Sequence, residues 1–152
     1  MASRRRRSSG GRPEFSIEGL SAFRLSLRKM SGDVPGAVKD ANIRAANRLV
    51  HAAKANTSTA QEAKAAESLR AIRAAGFAGV RLGTGTVYAF ALGAEFGSKR
   101  YGQFLDWRGN QHKGWDGGPG YFLHPAIRSE GRRILDLYWK EIQQTARRAF
   151  PE

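Results

Sequence analysis

Apolar residues along this chain change period several times, and each change marks an element. Residues 14–18 (Glu-Phe-Ser-Ile-Glu) alternate polar and apolar, which predicts a short strand ended by Gly19. Leu20, Phe23, Leu27 and Met30 then follow helical spacing, and Gly32 stops that helix. A second and longer helix is expected from near Pro35, because proline suits a first helical turn. Its apolar positions form two adjoining stripes: Val38, Ala41, Ala45, Leu49 and Ala52, and beside them Ile43, Ala46, Val50 and Ala53. Two stripes make a wide face, and so much alanine lets neighbours approach closely.

Asn56-Thr57-Ser58-Thr59 breaks the pattern, and Thr59 with Glu62 has the spacing of a capping box. Residues 60–75 read as a helix with Ala65, Leu69 and Ile72 inward and Gly76 as its C-terminal cap. From Gly79 the period becomes two. Val80 and Leu82, and then residues 87–92, read as two strands joined through Gly83-Thr84-Gly85. A last helix is expected from Pro125, with Ile127, Ile134, Leu135, Tyr138, Ile142 and Ala146 on one face and Pro151 at its end. The order predicts an α+β domain: a small, mostly antiparallel sheet of about four strands, flanked by a long Ala-rich helix and a C-terminal helix. A sheet that small leaves edges needing cover or a partner.

Composition adds charge to this outline. The 152 residues suit one domain at 14–152, preceded by a basic arm at 1–13. The formal net charge is +13, and Arg4, Arg5, Arg6, Arg7 and Arg12 stand in the arm without an acid. With no large apolar side chain beyond Met1, the arm cannot offset its ordering entropy and is expected to be disordered or extended. Arginines in a row suit phosphates or an acidic protein surface. No apolar run is long enough to span a membrane, and the first residues lack the apolar core of a secretory signal.

Candidate chemistry thins out quickly. The chain has no cysteine, which excludes thiolate catalysis, disulfides and cysteine-based metal sites. Asp106, His112, Asp116 and His124 have the donor types of a zinc site, but none of the compact ligand spacings. His51 lies between alanines and reads as a partly exposed helical residue. Gly83-Thr84-Gly85 and Gly117-Gly118-Pro119-Gly120 lack the lysine and hydroxyl residue that end a phosphate loop, and neither is expected to precede a helix in the required way. Ser58 and Ser98 have no base near them in sequence. Glu95 is a lone carboxylate behind an apolar run, suited to structural or intersubunit hydrogen bonding. No enzyme, cofactor or metal is expected.

The segment 95–128 holds Trp107, Trp115, Tyr121 and Phe122 among seven glycines, too sticky for a linker and too broken for a helix. Two of its neighbourhoods carry a resemblance. Val-Tyr-Ala-Phe-Ala-Leu-Gly-Ala-Glu-Phe-Gly-Ser (87–98) resembles a Tyr-Ala…Glu-Phe-Gly-Thr/Ser signature, and Gly-Tyr-Phe-Leu-His-Pro-Ala-Ile-Arg (120–128) is similar to an Arg-Pro-Phe-Leu-x-Pro-Ala-Leu entry into a last helix. Both belong to tail-completion or neck-type proteins, related to minor tail protein Z, of long-tailed double-stranded DNA bacteriophages. The resemblance covers roughly residues 15–150. The chain departs from the pattern in having Gly-Tyr before Phe122 and an insertion at 107–118; the arm lies outside it.

The resemblance implies a non-enzymatic virion protein at the head–tail junction, assembled in the host cytoplasm. It would form a homo-oligomeric ring joining connector, tail terminator or tail tube proteins, with non-specific contact to double-stranded DNA. Tyr88, Glu95, Phe96, Gly97, Trp107, Trp115, Phe122 and Pro125 would contribute to the subunit interface, and residues 87–92 could extend a sheet across it. A different class remains open on the residues alone: a small basic nucleic-acid-binding protein without catalytic activity. No base-reading motif such as a helix-turn-helix or zinc finger is present.

Overall fold

A computed structural model describes residues 34–74, 76–109 and 118–150. The expected strand at 14–18, the helix from Leu20 to Met30, the arginine arm, His112, Trp115 and Asp116 lie outside the described residues. The elements are α1 (Val34–Ala55), α2 (Ala60–Ala66), β1 (Arg70–Ile72), β2 (Gly79–Arg81), α3 (Val87–Phe96) and α4 (Leu123–Ala149). The class is α+β, as the periodicity predicts.

The two long helices make the frame. Asn56, just past the end of α1, donates to the Phe122 carbonyl just before α4 at 3.3 Å. Farther back along α1, Arg44 and Arg48 reach Glu141, farther on along α4. The pair therefore runs antiparallel. Val38, Ala41, Ala45, Leu49 and Ala53 are buried on α1, facing a core that holds Ala126, Ile134, Tyr138 and Ile142 of α4. Small side chains along α1 let bulky Tyr138 fit with its ring fully enclosed. Ile127, Leu135 and Ala146 are only half-buried, so the inward face of α4 is narrower than predicted. Pro125 falls within the first turn of α4, where its missing N–H removes no helical bond.

Three expectations are corrected. The helix predicted at 60–75 ends at Ala66, and Gly76 caps nothing. Ser68 explains the stop, since its hydroxyl donates to the Ala65 carbonyl at 2.6 Å and accepts from the Gly83 N–H at 3.0 Å. Leu69 is then buried and β1 pairs antiparallel with β2, Ala71 opposite Val80. The second correction concerns residues 87–92, which form helix rather than strand. Ala91, Ala94 and Glu95 are its buried positions, a helical spacing that the short alternating run conceals. The proposed sheet extension through this segment falls with it. Thirdly, the described residues contain two strands, not about four.

The predicted capping box forms in modified shape. Thr59 Oγ1 accepts from the Glu62 N–H at 3.2 Å, but Glu62 reaches back to the N–H of Ser58 rather than of Thr59, at 2.7 Å. Asn42 supplies a tie absent from the sequence reading: fully buried among the alanines of α1, it donates to the Ala74 carbonyl at 3.0 Å. That bond holds the connection between β1 and β2 onto α1.

Candidate assembly surface

Helix α3 starts from the Gly83-Thr84-Gly85 turn, in which both glycines have positive φ. It ends at Gly97, whose φ of 76° and ψ of −171° are open almost only to glycine. The chain then folds back along α3. The Ser98 N–H donates to the Leu105 carbonyl at 2.9 Å, and the Arg108 N–H to the Phe96 carbonyl at 2.5 Å. Ser98 Oγ gathers the N–H groups of Arg100 and Tyr101, fixing the turn. Phe104 packs over Gly93, its ring 5.5 Å from that of Phe90. Phe96 sits between Trp107 at 6.2 Å and the His124 ring at 5.0 Å.

The first turn of α4 exposes backbone donors, and its N-cap residue, Phe122, has no side-chain cap to offer. Glu95 fills the place from 27 residues away. Its carboxylate accepts from the N–H groups of Phe122 at 3.1 Å, Leu123 at 2.9 Å and His124 at 2.8 Å, and lies 2.7 Å from His124 Nδ1. With a carboxylate opposite, Nδ1–H is the donor. A buried negative charge is costly unless its oxygens are fully bonded, and the helix N-terminus also favours it electrostatically. Gly120 completes the fit: any Cβ there would overlap Glu95 Oε1. The Gly120 N–H donates to the Arg108 carbonyl at 2.9 Å, closing the junction from the other side.

The Glu-Phe-Gly and Gly-Tyr-Phe-Leu-His-Pro stretches thus fold into one locked joint between α3 and α4. Glu95, Gly97 and Phe122 are buried within the chain itself, so their side of the joint is internal to the subunit. Phe96, Trp107 and Pro125 are half-buried around it, and Tyr88 is exposed. Tyr121 donates to the Asp106 carbonyl at 2.7 Å beneath the Arg108 guanidinium, which lies 4.0 Å from its ring centre.

His124 is engaged with Glu95, and no three His, Asp or Glu side chains gather as metal ligands among the described residues. The first glycine turn, expected to join two strands, leads instead into α3, and the second precedes α4. Their N-termini are nevertheless taken: the Val87 and Tyr88 N–H groups bond Thr84 and Gly85 carbonyls, and Glu95 holds those of α4. No described helix is long and apolar enough to cross a membrane.

Four large apolar side chains stay exposed on α3 and its returning loop: Val87, Tyr88, Tyr101 and Leu105, with Tyr88 53% and Tyr101 56% accessible. Basic groups border them, Arg100 lying over Tyr101 and Lys64 over Phe90. Sequence reasoning singled out Tyr88 but missed Tyr101 and Leu105. The apolar residues around Gly102, broken by polar neighbours, were the available signal. Comparison with known protein families, curated proteins and solved structures gives no match for this chain.

Proposed function

We propose that this protein is a virion structural subunit, a tail-completion or neck component that forms a ring at the head–tail junction of a long-tailed DNA bacteriophage. The observation that carries this reading is the α3 surface. Exposed tyrosines with apolar and cationic neighbours have the composition of assembly surfaces, where aromatic residues and arginine are enriched. They stand on a helix and loop held to α4 by the Glu95 joint, so the surface is presented rigidly at low entropy cost. The two stretches that carry the family resemblance are the same ones that build the joint. Residues resembling a signature therefore have a structural reason to be there: the role of Glu95, Gly97 and Phe122 is to shape the subunit that assembles.

The test replaces Tyr88 and Tyr101 together with Ser in the full chain. Both side chains are exposed, so stability should change by no more than about 0.5 kcal/mol each. Particles made with the variant should accumulate as separate filled heads and tails, and electron microscopy should find the chain missing from the junction. Normal joining by a folded double variant would sink the reading.

A further inference from the structure

An open groove of about 480 Å³ runs between α1 and α4 on residues that the α3 surface does not use. Arg48 and His51 line it from α1, and Ser129, Glu130 and Arg133 from α4, over an apolar floor that includes Ile134 and Leu137. Arg48 is held rigidly because its Nη2 donates to Glu141 at 2.6 Å, yet its buried Nη1 has no acceptor among the described residues. Arg133 is 77% exposed, and its contact with Glu130 is long at 3.4 Å. Arg48, His51 and Arg133 thus share the groove with one lining carboxylate, Glu130, while Arg48 is also paired with Glu141. Among the described acids outside the groove, Glu62 and Glu95 are buried as helix caps and Glu141 is shared by two arginines, while Glu67, Asp106 and Asp136 are exposed.

We infer that the groove between α1 and α4 seats the sugar–phosphate backbone of double-stranded DNA. Arginine suits phosphate because its planar fork gives paired donors, and Ser129 adds a hydroxyl of the kind that positions phosphates. The apolar floor matches the deoxyribose edge. The volume falls within the ~300–1,000 Å³ usual for ligand clefts, and the groove is open to solvent. A net charge of +13 supplies long-range attraction, while the groove localises the contact. No base-reading element lies in it, so binding is indifferent to sequence. The site holds whether or not the chain is a neck subunit.

The experiment measures binding of a labelled DNA duplex by fluorescence anisotropy across salt concentrations. It uses the full chain with Arg4, Arg5, Arg6 and Arg7 changed to Ser, which removes the arm's own attraction. Into this chain go either His51→Ala with Arg133→Ser, or Arg147→Ser with Arg148→Ser at the far end of α4. All four side chains are exposed, so folding should survive, and Arg48 is left in place to brace Glu141. The groove pair should weaken binding about tenfold and lower the log–log salt slope by about 1. The distal pair should change binding less than threefold, although it removes more formal charge. Equal losses from both pairs would show diffuse charge attraction and overturn the groove. So would unchanged binding by the groove pair, or no DNA binding by the parent chain.

Discussion

Glu95 and Leu123 are 28 positions apart, and the carboxylate of the first accepts the backbone N–H of the second at 2.9 Å with both residues buried. A helix start that local sequence leaves uncapped is completed by a side chain from the preceding helix. The fold of the C-terminal half therefore depends on one carboxylate.

Glu95→Ala should destabilise the protein by about 3–5 kcal/mol, because three buried N–H groups and His124 lose their acceptor together. Glu95→Gln keeps the shape but turns one acceptor atom into a donor facing donors, and should cost less, about 2 kcal/mol. Urea denaturation monitored by tryptophan fluorescence gives both values. A loss below about 1 kcal/mol in the alanine variant would show that water replaces the carboxylate.

Gly97→Ala should be severe for a separate reason. Its φ of 76° with ψ near 180° is a glycine region, and an added Cβ would overlap the carbonyls of Leu105 and Asp106. The backbone strain alone is about 1–3 kcal/mol. Gly102 lies in the same loop with open space around it, so Gly102→Ala should be near neutral. Thermal melts of the two variants should differ clearly, and similar melts would contradict the geometry.

What the sequence made legible follows from how local each cause is. Helices α1 and α4 are long, so their stripes repeat often enough to be read, and prolines mark both starts. The Thr59–Glu62 cap spans four residues and was equally legible. Helix α3 was not, because Val87 to Leu92 alternates large and small residues as strands do. Only its packing shows that Ala91, Ala94 and Glu95 form the inward side. Ser68 stopped α2 through a bond to Gly83, fifteen residues on, which no local window contains. The Glu95 cap is the extreme case: the sequence marked the carboxylate as unusual, but its partners are backbone atoms that any sequence possesses.

Glu141 links stability to acid. Partial burial pushes its carboxyl up, but hydrogen bonds from Arg48 and Arg44, and their charges, outweigh this and hold its pKa below the ordinary 4.5. The folded state thus binds the proton less readily than the unfolded chain. The stabilisation is complete above the unfolded pKa and is lost as pH falls through the folded value. Glu141→Gln should cost about 1 kcal/mol at neutral pH, with both arginines partly solvated. The difference from wild type should shrink as pH falls below 4.5. A gap between the two denaturation curves that stays constant down to strong acid would refute this linkage.

Tyr138 gives the opposite linkage at the alkaline end. Its ring is fully buried, its hydroxyl has no partner among the described residues, and burial pushes its pKa from 10.0 up to about 12. The unfolded chain therefore loses this proton first as pH rises. Stability should fall progressively between about pH 10 and 12 as the unfolded phenolate gains solvation that the core denies it. Tyr138→Phe removes the titrating group and should abolish that part of the alkaline loss. At neutral pH the same substitution deletes an unbonded buried hydroxyl while keeping the ring that packs against α1. It should leave stability unchanged or raise it by up to about 1 kcal/mol, since an unmet polar group is a cost rather than a contribution. Urea titrations at pH 7 and pH 11 separate the two effects. A phenylalanine variant less stable than wild type by more than about 0.5 kcal/mol at pH 7 would mean that the hydroxyl is bonded in the folded protein, and the alkaline prediction would fail with it.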